Sequence, residues 1–342
     1  MGRLLCFLAA LAIAAPAQAE TGDSALAEIA VAQHILPAYD AFAAAAEALG
    51  APARACDAEG LRAAYHAAFD AWMGAQHIAL GPVEAESRRF SIAFWPDSKG
   101  FVSKALDRLI DAEDPVVDDP EAFARVSVAA HGLTALERLL YDENGERSFG
   151  EGYRCRFAQA VAADLARTAH AIRDGWTGED GFATVLTSAG APGNALYLTP
   201  EDAARDLFKS LDGGLQGLVD LRLGRPLGMF DRPRPRRAEA WRSTRSMRNV
   251  RLSLAALETY YRDVFAVALT EAERAKIDAS FARARRLAER APDAMHEAVA
   301  VPAQRLKVEA LQTQLRLLQE MLRKTLAPAL GVTIGFNSLD GD

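Results

Sequence analysis

Beyond residue 15 the sequence has no apolar run of the roughly 20 residues that a membrane-crossing helix needs. Strand patterning is missing too, since no stretch alternates apolar and polar residues as a half-buried strand does. Cysteine is scarce, with three in 342 residues. None of them begins a Cys-x-x-Cys-His run, which excludes covalent c-type haem. There is no Gly-x-Ser-x-Gly elbow and no Gly-rich phosphate loop. Positive charge is in deficit, 39 Lys and Arg against 46 Asp and Glu, for a net charge of -7. That balance argues against nucleic acid as a partner, because phosphate binding needs a basic field. Cations are compatible ligands, although most acidic surfaces are simply solvated.

What is present begins with an export signal. Arg3 is followed by the apolar run Leu4 to Ala15 and by Ala17-Gln18-Ala19, a small-x-small cleavage pattern. The predicted cut lies before Glu20, making residues 1–19 a signal peptide and the mature chain periplasmic. Cys6 sits too early to be a lipid-modified cysteine at the cut, so an untethered, non-spanning protein is expected. Cys56 and Cys155 then remain. Two cysteines in an exported chain predict one disulfide, with two buried thiols as the alternative.

Helical periodicity dominates the rest. Ile29, Leu36, Tyr39, Phe42 and Leu49 mark the apolar side of a first helix, with Pro37 as a kink. Leu61, Tyr65, Phe69, Trp72 and Gln76 mark a second, and a third covers about Phe101 to Ala112. Asp119-Pro120-Glu121 reads as the start of a helix reaching about Tyr141, and another covers roughly Gly152 to Trp176. A long loop over 177–198 precedes Thr199-Pro200-Glu201-Asp202, which opens a helix ending near Leu223. Residues 224–237 read as a linker or functional loop, and helix resumes from about Arg242 to Ala268. Thr270 with Glu273 forms a capping box. Val308, Leu311, Leu315, Leu318 and Leu322 form a bundle seam in the last helix. Leu133–Glu137 followed by Tyr141-Asp142 echoes Leu254–Glu258 followed by Arg262-Asp263. The expected fold is all-α, two helical bundles related by internal duplication, divided as 20–198 and 199–342.

Several residues are candidates for chemistry. His66, Asp70 and His77 fall on one helix face, with Met73 beside them, and imidazole next to carboxylate can ligate iron, zinc or copper. His77 is the best single candidate; the plainer reading makes the set a polar rim. Glu137 lies toward the apolar side with Leu133 and Leu140, as does Glu258 in the echo. A carboxylate there is costly unless paired or coordinated. His131 and Glu137 sit on different faces and cannot chelate one ion from a single helix. The segment Arg232 to Arg251 carries arginines at 232, 234, 236, 237, 242, 245, 248 and 251. They can clamp an anion, though in an acidic chain pairing with its own acids is the simpler reading. His296-Glu297 starts a zinc-peptidase signature, but Ala300 replaces the second His, leaving a surface His–Glu pair on a helix.

These residues also carry a family likeness. Ile35-Leu36-Pro37-Ala38-Tyr39 with Phe42, Trp72 leading to His77 and Gly81-Pro82, and Phe94-Trp95-Pro96-Asp97 come first. Gly132 through Glu137, Arg242-Ser243 with Ser246 and Asn249, and the tail Gly335 to Asp342 follow. The chain resembles imelysin-like proteins over about 25–335. Those are bacterial envelope proteins linked to iron uptake and once grouped with metallopeptidases. The likeness implies two helical bundles with a site in the cleft between them, at a Gly-x-His-x-x-Glu motif. Gly132 and Glu137 match that motif, while Thr134 stands at the position of its His.

The leading expectation is therefore an iron-uptake binding protein holding iron, another divalent metal, or an iron-bearing ligand or envelope partner in the cleft. Glu137, His77 and Glu258 are the expected metal ligands. Asp97, Thr134, His131, Arg242 and Arg245 are the expected orienting residues. A zinc-dependent peptidase and a metal-free protein-interaction module are the alternatives.

Overall fold

The computed structural model describes residues 20–141, 149 and 152–332. The expected signal segment and the tail beginning at Gly335 lie outside the described residues. Helix α1 (Glu20–Ile29) runs through a π-helical turn (Ala30–Ile35) into α2 (Leu36–Glu47). Pro37 lacks the N–H that would bond back one turn, and the widened turn directly precedes it. Asp57 caps α3 (Ala58–Ala75) by accepting from the Gly60 N–H at 3.0 Å. The buried side of α3 carries Leu61, Tyr65, Phe69, Trp72 and Met73, the spacing expected of it.

Helix α4 covers Phe101–Asp111. The single helix expected from Asp119 to Tyr141 is broken. Asp119 caps a short piece, Pro120–Phe123; a 3-10 turn, Val128–Ala130, follows, and α5 (Gly132–Tyr141) begins anew. The reason is Gly132. Its φ is +65°, and a Cβ there would lie 2.2 Å from the carbonyl oxygens of both Ser91 and Ile92. The chain turns against that backbone as only glycine allows, and the turn aims α5 at the Phe94–Asp97 loop.

Helix α6 spans Tyr153–Trp176, and Cys155 in its first turn is bonded to Cys56, with Cα atoms 5.6 Å apart across 99 residues. The expected disulfide is present. The loop over 177–198 contains one short helix, Phe182–Thr187. Thr199 and Asp202 form a capping box on α7 (Pro200–Gln216), which continues as a π-helical stretch, Gly217–Gly224. Helix α8 (Ser246–Tyr260) starts four residues later than the sequence suggested, because Trp241–Thr244 forms a turn. A third π-helical turn, Tyr261–Phe265, ends it. Thr270 and Glu273 close the expected capping box on α9 (Glu271–Arg290). Helix α10 (Pro302–Ala329) buries the Val308–Leu322 seam.

Helices α2, α3, α5 and α6 pack on one another, and α7, α8, α9 and α10 form a second group. Helix α3 lies against α8 and joins the groups, while α1 crosses over to pack on α7. The buried apolar side chains form one continuous cluster. No strand occurs among the described residues, and the fold is all-α. Among the described residues, no helix is long and apolar enough to cross a membrane.

Candidate functional site

A cavity of about 680 Å³ opens beside the contact between the two helix groups. One wall is the Phe94–Ser98 loop with the first turn of α4 and the residues Thr134, Glu137 and Tyr141 of α5. The other comes from Arg225, Arg236–Ala238, Ala240–Arg242, Thr244 and His296.

The first wall is held by side-chain-to-backbone bonds. Thr134 Oγ1 accepts the Phe94 N–H at 2.8 Å, tying the loop to α5. Asp97 accepts from the N–H groups of Lys99 (3.2 Å), Phe101 (2.9 Å) and Val102 (2.9 Å), so its carboxylate is spent on the start of α4. Glu137 is buried, and its Oε1 accepts from the Ser243 N–H (2.9 Å) and hydroxyl (2.8 Å). Burial pushes the Glu137 carboxyl above the usual carboxylate range, against the opposing pull of the two Ser243 bonds and Arg242. Tyr65 Oη lies 3.2 Å from the same Ser243 hydroxyl.

The second wall is cationic. Arg236 and Arg242 lie over the Trp241 ring, at 5.6 and 4.5 Å from its centroid. His296 was expected at the surface. It pairs there with the exposed Glu297 at 3.7 Å on the Met295–Ala298 helix, as expected, and its ring also lies 6.0 Å from Trp241 in the cavity wall.

Arg245, expected to orient a ligand, is buried behind the cavity. It donates to His66 Nδ1 (2.7 Å), Asp70 (2.5 Å) and Asn249 (2.9 Å), and stacks 4.6 Å from the Phe69 centroid. Burial, then Arg245 and Arg248, hold the His66 pKa below its ordinary value. Since a guanidinium only donates, His66 Nδ1 carries no proton, and its Nε2–H faces the Tyr141 hydroxyl at 2.7 Å. Burial would raise the Asp70 pKa, but Arg248 and Arg245 pull it below the usual range. His66, Asp70 and Met73 thus belong to a polar seam between α3 and α8.

The structure does not gather Glu137, His77 and Glu258 into one ligand set. Helix α3 ends at Ala75, so His77 leaves the face that carries His66 and Asp70. Its Nε2 meets His34 Nε2 at 2.8 Å in the core, where both rings pack on Tyr260. Glu258 is held by Arg262 (2.7 Å) and Arg285 (3.0 Å) on the far side of α8. His131 precedes α5 in extended conformation and bonds Asp164 at 2.8 Å, a structural tie to α6. Of the expected residues, Glu137, Thr134, Asp97 and Arg242 reach the cavity. Arg225, Trp241 and His34 were not singled out from the sequence, and no local pattern marks them.

The imelysin family model matches residues 29–322. The chain belongs to the imelysin family. No curated protein sequence gives a match. Among solved structures, an imelysin-like protein from Psychrobacter arcticum superposes with a TM-score of 0.79 at 19% identity, covering 95% of this chain and 100% of that one. A structure assigned as an iron-regulated protein A precursor from Parabacteroides distasonis gives 0.68 at 12% identity, over 88% and 95% of the two chains.

In this imelysin the motif position occupied by Thr134 serves the cavity as a loop anchor. Its hydroxyl does for Phe94 what an N-cap does for a helix, satisfying a backbone donor. The buried pair His34 and His77 is expected to make the core of this imelysin acid-sensitive. Burial lowers the His34 pKa from 6.5 to about 4, and burial, with His34 and Arg89 nearby, also holds His77 well below its ordinary value. A histidine depressed by folding binds its proton first in the unfolded chain, so its contribution is complete above pH 6.5 and is lost as pH falls toward about 4. The expected loss from His34 is about 3 kcal/mol. Urea unfolding at intervals from pH 7.5 to 4 checks it. His34→Gln should flatten the slope between pH 6.5 and 4, and an unchanged slope would refute the assignment.

Proposed function

We propose that this imelysin is an exported envelope protein of iron acquisition, and that it holds an iron-bearing ligand in the cavity between residues 94–141 and 225–296. The supporting observation is Glu137, a buried carboxylate of raised pKa at the wall of a cavity built around the family motif. The name of the Parabacteroides relative, an iron-regulated protein precursor, points the same way. The amino-terminal pattern Arg3, Leu4–Ala15 and Ala17-Gln18-Ala19 supports export. Glu137 is the metal-facing or ligand-facing acid in this reading. Asp97 and Thr134 shape the wall, and Arg242 faces the cargo.

The test is metal analysis of the protein isolated from the periplasmic fraction of iron-replete cells, beside Glu137→Ala. Iron should co-purify with the wild type at close to one equivalent and fall severalfold in the variant. Equal, sub-stoichiometric iron in both would sink the proposal.

A further inference from the structure

The cavity wall is more cationic than a site for a bare metal ion should be. Arg225, Arg236, Arg237 and Arg242 face it, with His296, against two carboxylates. Those two are engaged: Asp97 accepts three backbone N–H bonds and Glu137 two bonds from Ser243. Many of the other arginines in this acidic chain find acids. Arg222 meets Glu239, Arg245 and Arg248 meet Asp70, Arg251 meets Asp293, and Arg323 meets Asp212. Arg225, Arg236 and Arg237 meet no carboxylate among the described residues, and all three line this one cavity. The ring of Trp241 supports the Arg236 guanidinium from one face. Concentrated positive charge repels a hydrated cation and attracts an oxyanion. A guanidinium presents a planar fork that fits a carboxylate with two parallel bonds.

We infer that the cavity recognises an anionic polycarboxylate, and that iron enters it already chelated by such a molecule. Arg225, Arg236 and Arg237 grip its outward carboxylates, and the aromatic side chains of Trp95 and Trp241 wall the space between. The volume of about 680 Å³ is that of a small-molecule site. This inference rests on the reading of the cavity as an iron-cargo site.

Calorimetric titration of the mature protein tests it with four probes: citrate, ferric citrate, inorganic phosphate, and ferrous iron alone under anaerobic conditions. Citrate and ferric citrate should bind, ferric citrate more tightly, with affinity falling as salt rises. Arg236→Ala/Arg237→Ala should weaken both about a hundredfold or more, since each charged hydrogen bond lost is worth about a factor of ten. Both arginines are exposed, so the thermal melt of the variant should match the wild type. Binding of ferrous iron but not citrate would overturn the anion inference and leave the iron reading standing. Citrate bound as tightly as ferric citrate would uphold the anion site and defeat the iron reading. Phosphate bound as tightly as citrate would overturn the polycarboxylate assignment.

Discussion

Replacing both bridge cysteines, Cys56→Ser with Cys155→Ser, is expected to cost the fold about 4 kcal/mol. The bond closes a loop of 99 residues, and the chain-entropy relation assigns a loop of that length about 4–5 kcal/mol through the unfolded state. Burial adds to the cost, because Cys155 is closed off from solvent against the Ala53 carbonyl and Gln159. A serine hydroxyl at the buried position 155 replaces an apolar contact with a polar group. Urea unfolding of the oxidised wild type and the double serine variant, followed by far-ultraviolet circular dichroism, reads the difference. A shift under 1 kcal/mol with the bond intact in the wild type would defeat it. The native spectrum should be unchanged, since the bridge restrains the unfolded chain more than it shapes the helices.

Arg222→Met should cost about as much, by a different route. Arg222 donates to both carboxylate oxygens of Glu239, at 2.7 and 3.0 Å, and to Gln76 at 2.7 Å, while its guanidinium faces the Trp95 ring. Both members of the pair are almost wholly buried, with side-chain exposures of 7% and 5%. Removing the cation leaves Glu239 charged, buried and held by the neutral Asn249 amide alone at 2.8 Å. An orphaned buried charge of this kind costs about 3–5 kcal/mol. The double variant Arg222→Met/Glu239→Gln removes both charges and should recover most of the loss. Denaturant midpoints of the three proteins check this. If the single variant lies within 1 kcal/mol of the wild type, or the second change recovers nothing, the pair is not carrying that energy.

The sequence made the helices legible where the cause was local. Capping boxes at Thr199 and Thr270, the seam from Val308 to Leu322, and the aromatic face of α3 all depend on neighbours within a turn or two. The break before α5 was not legible, because Gly132 ends the preceding segment through two carbonyls some forty residues earlier in the chain. The π-helical turns were invisible for a related reason, since one extra residue per turn leaves no compositional mark. For the site, Glu137 was found because a carboxylate on an apolar stripe has to be explained. His77 and Glu258 raised the same question and found structural answers, in His34 and in two arginines. Pairing of the arginine-rich segment with acids held for Arg245, Arg248 and Arg251 and did not for Arg236 and Arg237. Spacing alone could not separate them, because the separation is made by which acids α3 and the Asp293 turn bring near.

The seam of Arg222, Arg245 and their partners has a kinetic consequence. Opening the helix groups like a hinge would expose those buried charges and strip their hydrogen bonds together. On the proposed cargo reading, the cavity is then expected to act as a preformed socket. On that reading capture should be a one-step encounter, fast in dilute salt and slowed by ionic screening. Residence time should then follow the contacts inside the cavity.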